Sequence, residues 1–362
     1  MKTLFEETKL GNIAIKNRFI RSATWENLAD KDGHLTEKLY DTYKVLACNE
    51  LGLIITGYAN IVKEEQPNPG MMGIYNDSFI SEYKKLADII HTNGSKIVLQ
   101  IAYGGTKTTY NVGERIIYAP SEVPEIGTKV TGKPMAKEEI DYIVNAFAEA
   151  GRRAKESGFD GVEIHGAHTY LINQFLSPYY NRRTDEYGGR LENRMRFLLE
   201  IYYKMREKVG KDFPILVKLT ATEFFEGGLN FEETKEICRK LEEVGVNAIE
   251  LSGNVHGKAR DMAGEIYDNY AIQKEGYFTE YAKIISDELK IPVITVGGFR
   301  DINSIEKVLN ETNITYFALS RPLLAEPGLV KRWKAGDRKK AICISCSKCR
   351  TPEGNYCTVF NK

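Results

Sequence analysis

The chain has little of several things. Histidine and cysteine are scarce, five and six in 362 residues. No hydrophobic run is long: the most apolar stretch, LGLIITGYANIV from Leu51, falls far short of the roughly 20 apolar residues that cross a bilayer. Neither sign of charge is in excess. Fifty Lys and Arg stand against fifty Asp and Glu, so nothing points to nucleic acid or another polyanion as partner. The N-terminal MKTLFEETKLGN lacks the apolar core of a signal peptide, and the expectation is a cytoplasmic protein. No G-x-G-x-x-G follows the first strand-like run, which counts against a dinucleotide-binding doubly wound sheet. There is no linker, repeat or low-complexity tract. What remains is an ordinary globular composition, 42% hydrophobic and 28% charged.

What is there is an alternation. Short Val/Ile/Leu runs at 18–24, 51–57, 96–102, 160–166, 214–220, 247–253, 291–298 and 314–320 are each followed by an amphipathic stretch. Those stretches cover 36–50, 81–93, 137–157, 193–209, 231–244, 279–289, 301–310 and 326–335. Near-continuous apolar runs suit strands buried on both faces, and parallel strands need helical crossovers. Eight units predict an α/β fold of the closed (β/α)₈ TIM-barrel type, with an open sheet as the alternative. The segments 58–79, 103–136 and 177–192 are long βα loops on the C-terminal face, where barrel enzymes place their chemistry. The expected organisation is a barrel over 1–336 and a Cys-rich tail over 337–362 packed on or near it.

Residues at the strand ends should converge. They are Ser22 to Trp25, Gly57 and Tyr58, Gln100, His165 and His168, Lys218, Ser252 and Gly253, Gly297 and Gly298, and Ser320 and Arg321. No close carboxylate pair or zinc spacing stands among them. Gly297, Gly298, Ser320 and Arg321 suit a phosphate, of a substrate or of a cofactor such as FMN. Lys218 interrupts an apolar strand, which is costly unless it is paired or functional; it suits a Schiff base or the stabilisation of an anion. Gln100 suits the edge of a pyrimidine-like ring. His165 and His168, three apart in a helical turn, put two N–H donors toward one oxygen, with Tyr170 near enough to deliver a proton.

The blocks KNRFIRSATWE (16–26), VLQIAYGG (98–105) and above all HGAHTYLINQFLSPYYNRRTDEYGGRLENRMRF (165–197) resemble the old yellow enzyme family of flavin oxidoreductases. EGYF (275–278), IPVITVGGF (291–299) and SRPLLAEP (320–327) follow in that family's order. The resemblance implies FMN at the barrel top, contacted by Ser22, Ala23, Thr24, Trp25, Tyr58 and Gln100. Lys218, standing for a usual arginine, would lie near flavin N1 and O2. Gly297, Gly298, Ser320 and Arg321 would hold the phosphate. His165 and His168 would bind the substrate oxygen, and Tyr170 would be the proton donor. It implies an ene-reductase that takes hydride from NADH or NADPH and passes it to a small α,β-unsaturated carbonyl compound in ping-pong fashion, with no membrane or nucleic-acid partner; a homo-oligomer is also an expectation. The departures are at Trp25, where the family has a small redox-tuning residue, and at Asn27 and Tyr103. A rival reading is a flavin-free barrel lyase or isomerase on a phosphorylated substrate, with Lys218 as nucleophile.

Cys48 and Cys238 read as small buried hydrophobes. Cys343, Cys346, Cys349 and Cys357 form C-x₂-C-x₂-C-x₇-C, a spacing that suits a [4Fe–4S] cluster or a zinc ion. Larger proteins resembling dienoyl-CoA reductases carry a cluster in this region and continue into further flavin and nucleotide domains. Reduced thiols without a metal are the plain alternative.

Overall fold

A computed structural model describes residues 2–253, 275–346 and 348–360, with the backbone of Tyr267–Asp268 and Ala271–Ile272. Eight strands form the barrel: β1 (Phe19–Arg21), β2 (Leu53–Ile55), β3 (Lys96–Ala102), β4 (Gly161–Gly166), β5 (Ile215–Thr220), β6 (Ala248–Ser252), β7 (Val293–Val296) and β8 (Tyr316–Leu319). Each pairs in parallel with the next, and β8 pairs with β1, so no edge is left open. Outside lie α1 (Glu37–Ala47), α2 (Ile80–Thr92), α3 (Lys137–Glu156), α4 (Leu191–Val209), α5 (Phe231–Val244), α6 (Thr279–Glu288), α7 (Ile302–Glu311) and α8 (Leu329–Lys334).

Local chemistry sets the helix ends. At α5, Asn230 Oδ1 accepts from Glu233 N at 3.0 Å and the Glu233 carboxylate accepts from Asn230 N at 3.3 Å. Gly245 ends the helix in the left-handed region at φ 95°. The last unit differs from expectation. Instead of one helix over 326–335 there is a short helix, Arg321–Ala325, and then α8. Pro327 has no N–H to continue the ladder, so the chain breaks there.

The period of two sorts the strand residues. Val162 and Ile164, and Val217 and Leu219, face the helices in the main core. Val98, Leu216, Ala248, Ile294 and Tyr316 face inward at the barrel's N-terminal end. A hairpin of Thr8–Leu10 and Ile13–Ile15 closes that end, burying Leu10, Ile13 and Ile15 against them. Three-residue strands carry too little pattern to read, so this plug is not legible in the sequence. Among the described residues no helix is long and apolar enough to cross a membrane. Cys238 is buried as expected, but Cys48 is exposed: it caps the end of α1, and its thiol donates to Asn93 Oδ1 at 2.9 Å.

Candidate active site

One layer above the apolar plug, the same alternation turns four polar side chains inward. Gln100 and Glu163 are register partners on β3 and β4, and Lys218 and Glu250 on β5 and β6. All four are buried. Lys218 Nζ lies 2.9 Å from Glu250 Oε1 and donates to Ser22 Oγ at 2.9 Å, while Ser22 donates to Glu250 at 2.6 Å. Gln100 Nε2 donates to Glu163 Oε2 at 2.6 Å. Burial, and then the charge of Glu250, holds the Glu163 carboxyl well above the usual range. Glu163 Oε1 and Glu250 Oε2 receive no hydrogen bond from an amide, ammonium or hydroxyl group among the described residues, and the two carboxyls are close enough to share a proton. A single proton held on Glu163 removes the repulsion between the two acids. Neither acid stood out in the sequence. Counting back by two from His165 and from Ser252 would have found them, since 163 and 250 fall on the inward face.

Above this layer is a cavity of about 770 Å³. Ala23, Trp25, Tyr58, Gln100, His165, His168, Tyr170 and Lys218, all expected at the site, line it. The two histidines are not on a helical turn. His165 is inside β4, and His168 and Thr169 adopt left-handed φ of 62° and 59° before the helix Leu171–Leu176 begins. That reversal still brings the imidazole centroids to 4.9 Å. His168 Nε2 meets Ser252 Oγ at 2.9 Å, and its backbone N–H donates to Thr220 Oγ1 at 3.0 Å. His165 is held well below the usual histidine range by burial and by Lys218, so it is a neutral ring. Its Nδ1 is buried without a partner among the described residues. Tyr170 stacks edge-on at 4.8 Å from the His165 ring, and burial pushes its hydroxyl up to about 12. Asn68 Nδ2 donates to Tyr58 Oη at 2.7 Å and to Tyr170 Oη at 3.3 Å. Asn68 lies in a long loop, where no periodic pattern marks it.

A second cavity of about 180 Å³ adjoins the first; Ala23, His168 and Lys218 line both. Ser22, Gly297, Gly298, Ser320 and Arg321 line it too. A Cβ at Gly297 would come within 3.0 Å of the Tyr277 ring, and its φ of 130° is open only to glycine. Thr24 lines neither cavity. Its hydroxyl lies 2.7 Å from Ser320 Oγ and ties the loop after β1 to the end of β8. The pair of cavities suits FMN: a large space for a flat ring, beside a small one with glycines and Arg321 for a phosphate. The orphaned His165 nitrogen fits a ligand atom in the large space.

Lys218 is ion-paired to a buried carboxylate. That pairing suits a fixed cation and speaks against a free amine attacking a carbonyl.

The C-terminal segment returns to the site. Ala341 N donates to Arg300 O at 2.8 Å. A hairpin of Arg350–Thr351 and Gly354–Asn355 docks on the loop after β1: Asn355 N donates to Glu26 O at 2.7 Å, Asn27 Nδ2 to Thr351 O at 2.9 Å, and Asn355 Nδ2 to Trp25 O at 2.6 Å. Arg350 thereby lines the large cavity, 6.0 Å from the Trp25 ring. Cys343 and Cys357 are buried together against Ala325. Cys349 is pushed up to about 11, first by burial and then by Cys343, Cys357 and Cys346. Among the described residues no group of three or more His, Cys, Asp or Glu side chains is arranged to hold a metal ion.

Residues 3–340 match the model of the NADH:flavin oxidoreductase / NADH oxidase family. The chain is similar to an "NADH oxidase" of Thermoanaerobacter brockii, 36% identical over 95% of this chain and 52% of that protein. It is similar to a "cinnamate reductase" of Clostridium sporogenes, 31% identical over 99% of this chain and 57% of the relative. A solved 2-naphthoyl-CoA reductase complex superposes with a TM-score of 0.88, at 28% identity, over 96% of this chain and 54% of its own. The chain thus spans about half the length of these relatives. With the closed barrel, the two joined cavities and a match over 3–340, the chain belongs to the NADH:flavin oxidoreductase / NADH oxidase family, the old yellow enzyme group.

Proposed function

We propose that the chain is an FMN-dependent oxidoreductase that takes hydride from NADH or NADPH and reduces activated C=C bonds of small α,β-unsaturated carbonyl compounds. The observation that carries this reading is the neutral His165 ring, 4.9 Å from His168 and 4.8 Å from Tyr170, above the buried Lys218 in a cavity large enough for a flat ring and a substrate. The cinnamate reductase similarity supports it, since cinnamate is itself a conjugated alkene.

FMN, when bound, supplies a two-electron carrier that accepts hydride from one substrate and releases it to another. Gln100 and Lys218 would hold its pyrimidine edge, and Gly297, Gly298, Ser320 and Arg321 its phosphate. The other steps belong to side chains. His165 and His168 donate N–H bonds to the substrate carbonyl oxygen. A neutral imidazole strengthens such a bond as negative charge grows on the oxygen, and it carries no competing proton to lose. Tyr170, protonated at neutral pH, delivers a proton to the α-carbon, and Asn68 orients its hydroxyl. Lys218, fixed by Glu250 and Ser22, places positive charge where electrons accumulate.

For the tail, the cysteine spacing supports a [4Fe–4S] cluster or zinc, the thiols closing on the group as it binds. No step of the reaction is assigned to it. Iron, sulfide and zinc analysis of anaerobically purified protein decides its occupant. The proposal itself is tested by gentle purification: the protein should be yellow, bleach anaerobically with NADH or NADPH, and regain colour on adding 2-cyclohexen-1-one. Protein that isolates without flavin, and takes up none from added FMN, would sink it.

A further inference from the structure

The large cavity is lined by four cations, Lys107, Lys129, Lys218 and Arg350, and by no Asp or Glu among the described residues. Two of the cations are answered: Lys218 by Glu250 at 2.9 Å, and Lys107 by Glu125 at 3.1 Å. The other two are exposed, and their side chains have no carboxylate partner among the described residues. They reach the cavity from different parts of the chain, Lys129 from the loop after β3 and Arg350 from the C-terminal hairpin. Four hydrogen bonds to residues 25–27 seat that hairpin, so Arg350 is carried on a fixed element rather than a loose end. Burial raises the hydroxyl pKa of both Tyr58 and Tyr170, and the Arg350 charge opposes it only slightly.

We propose that Arg350, with Lys129 of the same cavity, binds an oxyanion, carboxylate or phosphate, that the substrate carries remote from its activated double bond. This rests on the alkene-reductase reading and adds a substrate class to it. The reacting carbonyl goes to His165 and His168; the anion goes to Arg350, whose planar fork matches a carboxylate or phosphate. Two exposed cations on the wall of one cavity, with no carboxylate among its described lining residues, favour an anionic group in the bound molecule. The cavity therefore selects by charge at its rim and by hydrogen bonding at its base.

The test is calorimetric binding to full-length, flavin-loaded protein with two unreactive pairs: 4-oxopentanoate and its methyl ester, and butyryl-CoA and butyryl-N-acetylcysteamine. The first pair reads carboxylate binding and the second phosphate binding. Arg350→Ala should weaken the charged member of at least one pair about 10- to 100-fold, the worth of a charge-assisted hydrogen bond, and leave its neutral member within about twofold. Arg350→Lys should recover part of that loss, and Lys129→Ala should show a smaller one. Equal weakening of charged and neutral ligands would mean that Arg350 only packs the hairpin. That result, no loss in Arg350→Ala, or no measurable binding of either charged ligand overturns the proposal. Reoxidation by neutral 2-cyclohexen-1-one, assayed separately, fails only if the alkene-reductase reading is wrong.

Discussion

The two ends of the barrel are built from the same strands to opposite purposes. At the N-terminal end, Val98, Leu216, Ala248 and Ile294 meet Leu10, Ile13 and Ile15, and every inward group gains by leaving water. One layer up, Gln100, Glu163, Lys218 and Glu250 are as deeply buried but polar, joined as Gln100–Glu163 and Lys218–Glu250, and a nitrogen of His165 nearby has no partner among the described residues. The lower layer fixes the barrel by burial alone; the upper one buries polar groups in pairs and leaves one nitrogen of the cavity-lining His165 unmet.

Substitutions should separate the two ends. Lys218→Met, which leaves the buried Glu250 unpaired, should cost about 3–5 kcal/mol in denaturant unfolding and also weaken FMN binding. Leu216→Ala, in the plug layer, should cost about 2–5 kcal/mol while FMN affinity is unchanged. If Leu216→Ala loses FMN as readily as Lys218→Met, the division of labour is wrong. His165→Ala and His168→Ala should each slow reoxidation of reduced flavin by an enone about 10²–10³-fold, measured by stopped flow, with reduction by NADH largely intact.

Titration sharpens the same contrast. Glu26, Glu65 and Glu223 lie buried in the loops of the upper end, and burial raises each to about 7. A carboxyl whose folded value is raised contributes stability in full below its unfolded value, and that contribution is lost as pH rises through the folded value. Unfolding free energy should therefore decline between about pH 4.5 and 7.5. Glu65→Gln, which keeps an acceptor for the Gly104 N–H, should flatten that slope; an unchanged slope would show that Glu65 does not titrate there. The smallest effect is expected far from both ends: Asn230→Ala removes the cap of α5 and should cost about 1 kcal/mol in unfolding with no change in kinetics.

The sequence spoke clearly where a periodic pattern or a short motif carried the information. All eight strands and the eight outer helices lie within a few residues of where apolar runs and amphipathic stretches put them, because burial on two faces of a strand and one face of a helix leaves a strong signal. Most of the strand-end residues line the two joined cavities; Thr24, whose hydroxyl turns to Ser320, and Gly57 and Gly253 line neither. What stayed hidden depends on tertiary contact. Glu163 and Glu250 look like ordinary charges until the alternation turns them inward. Arg350 looks like a solvated tail residue until Asn27 and Asn355 seat its hairpin beside Trp25. The His165–His168 geometry was expected from a helix and comes instead from two left-handed residues, a conformation that spacing does not reveal.

The most direct test of the central claim is a two-step anaerobic stopped-flow experiment on the flavin-loaded protein. NADH or NADPH should bleach the flavin, and a second mix with 2-cyclohexen-1-one should restore its colour. In the His165→Ala/His168→Ala double variant, bleaching should keep close to its original rate while colour returns at least about a hundredfold more slowly. Equal slowing of both steps, or colour that returns at the wild-type rate, would contradict the assignment of these two rings to the substrate oxygen.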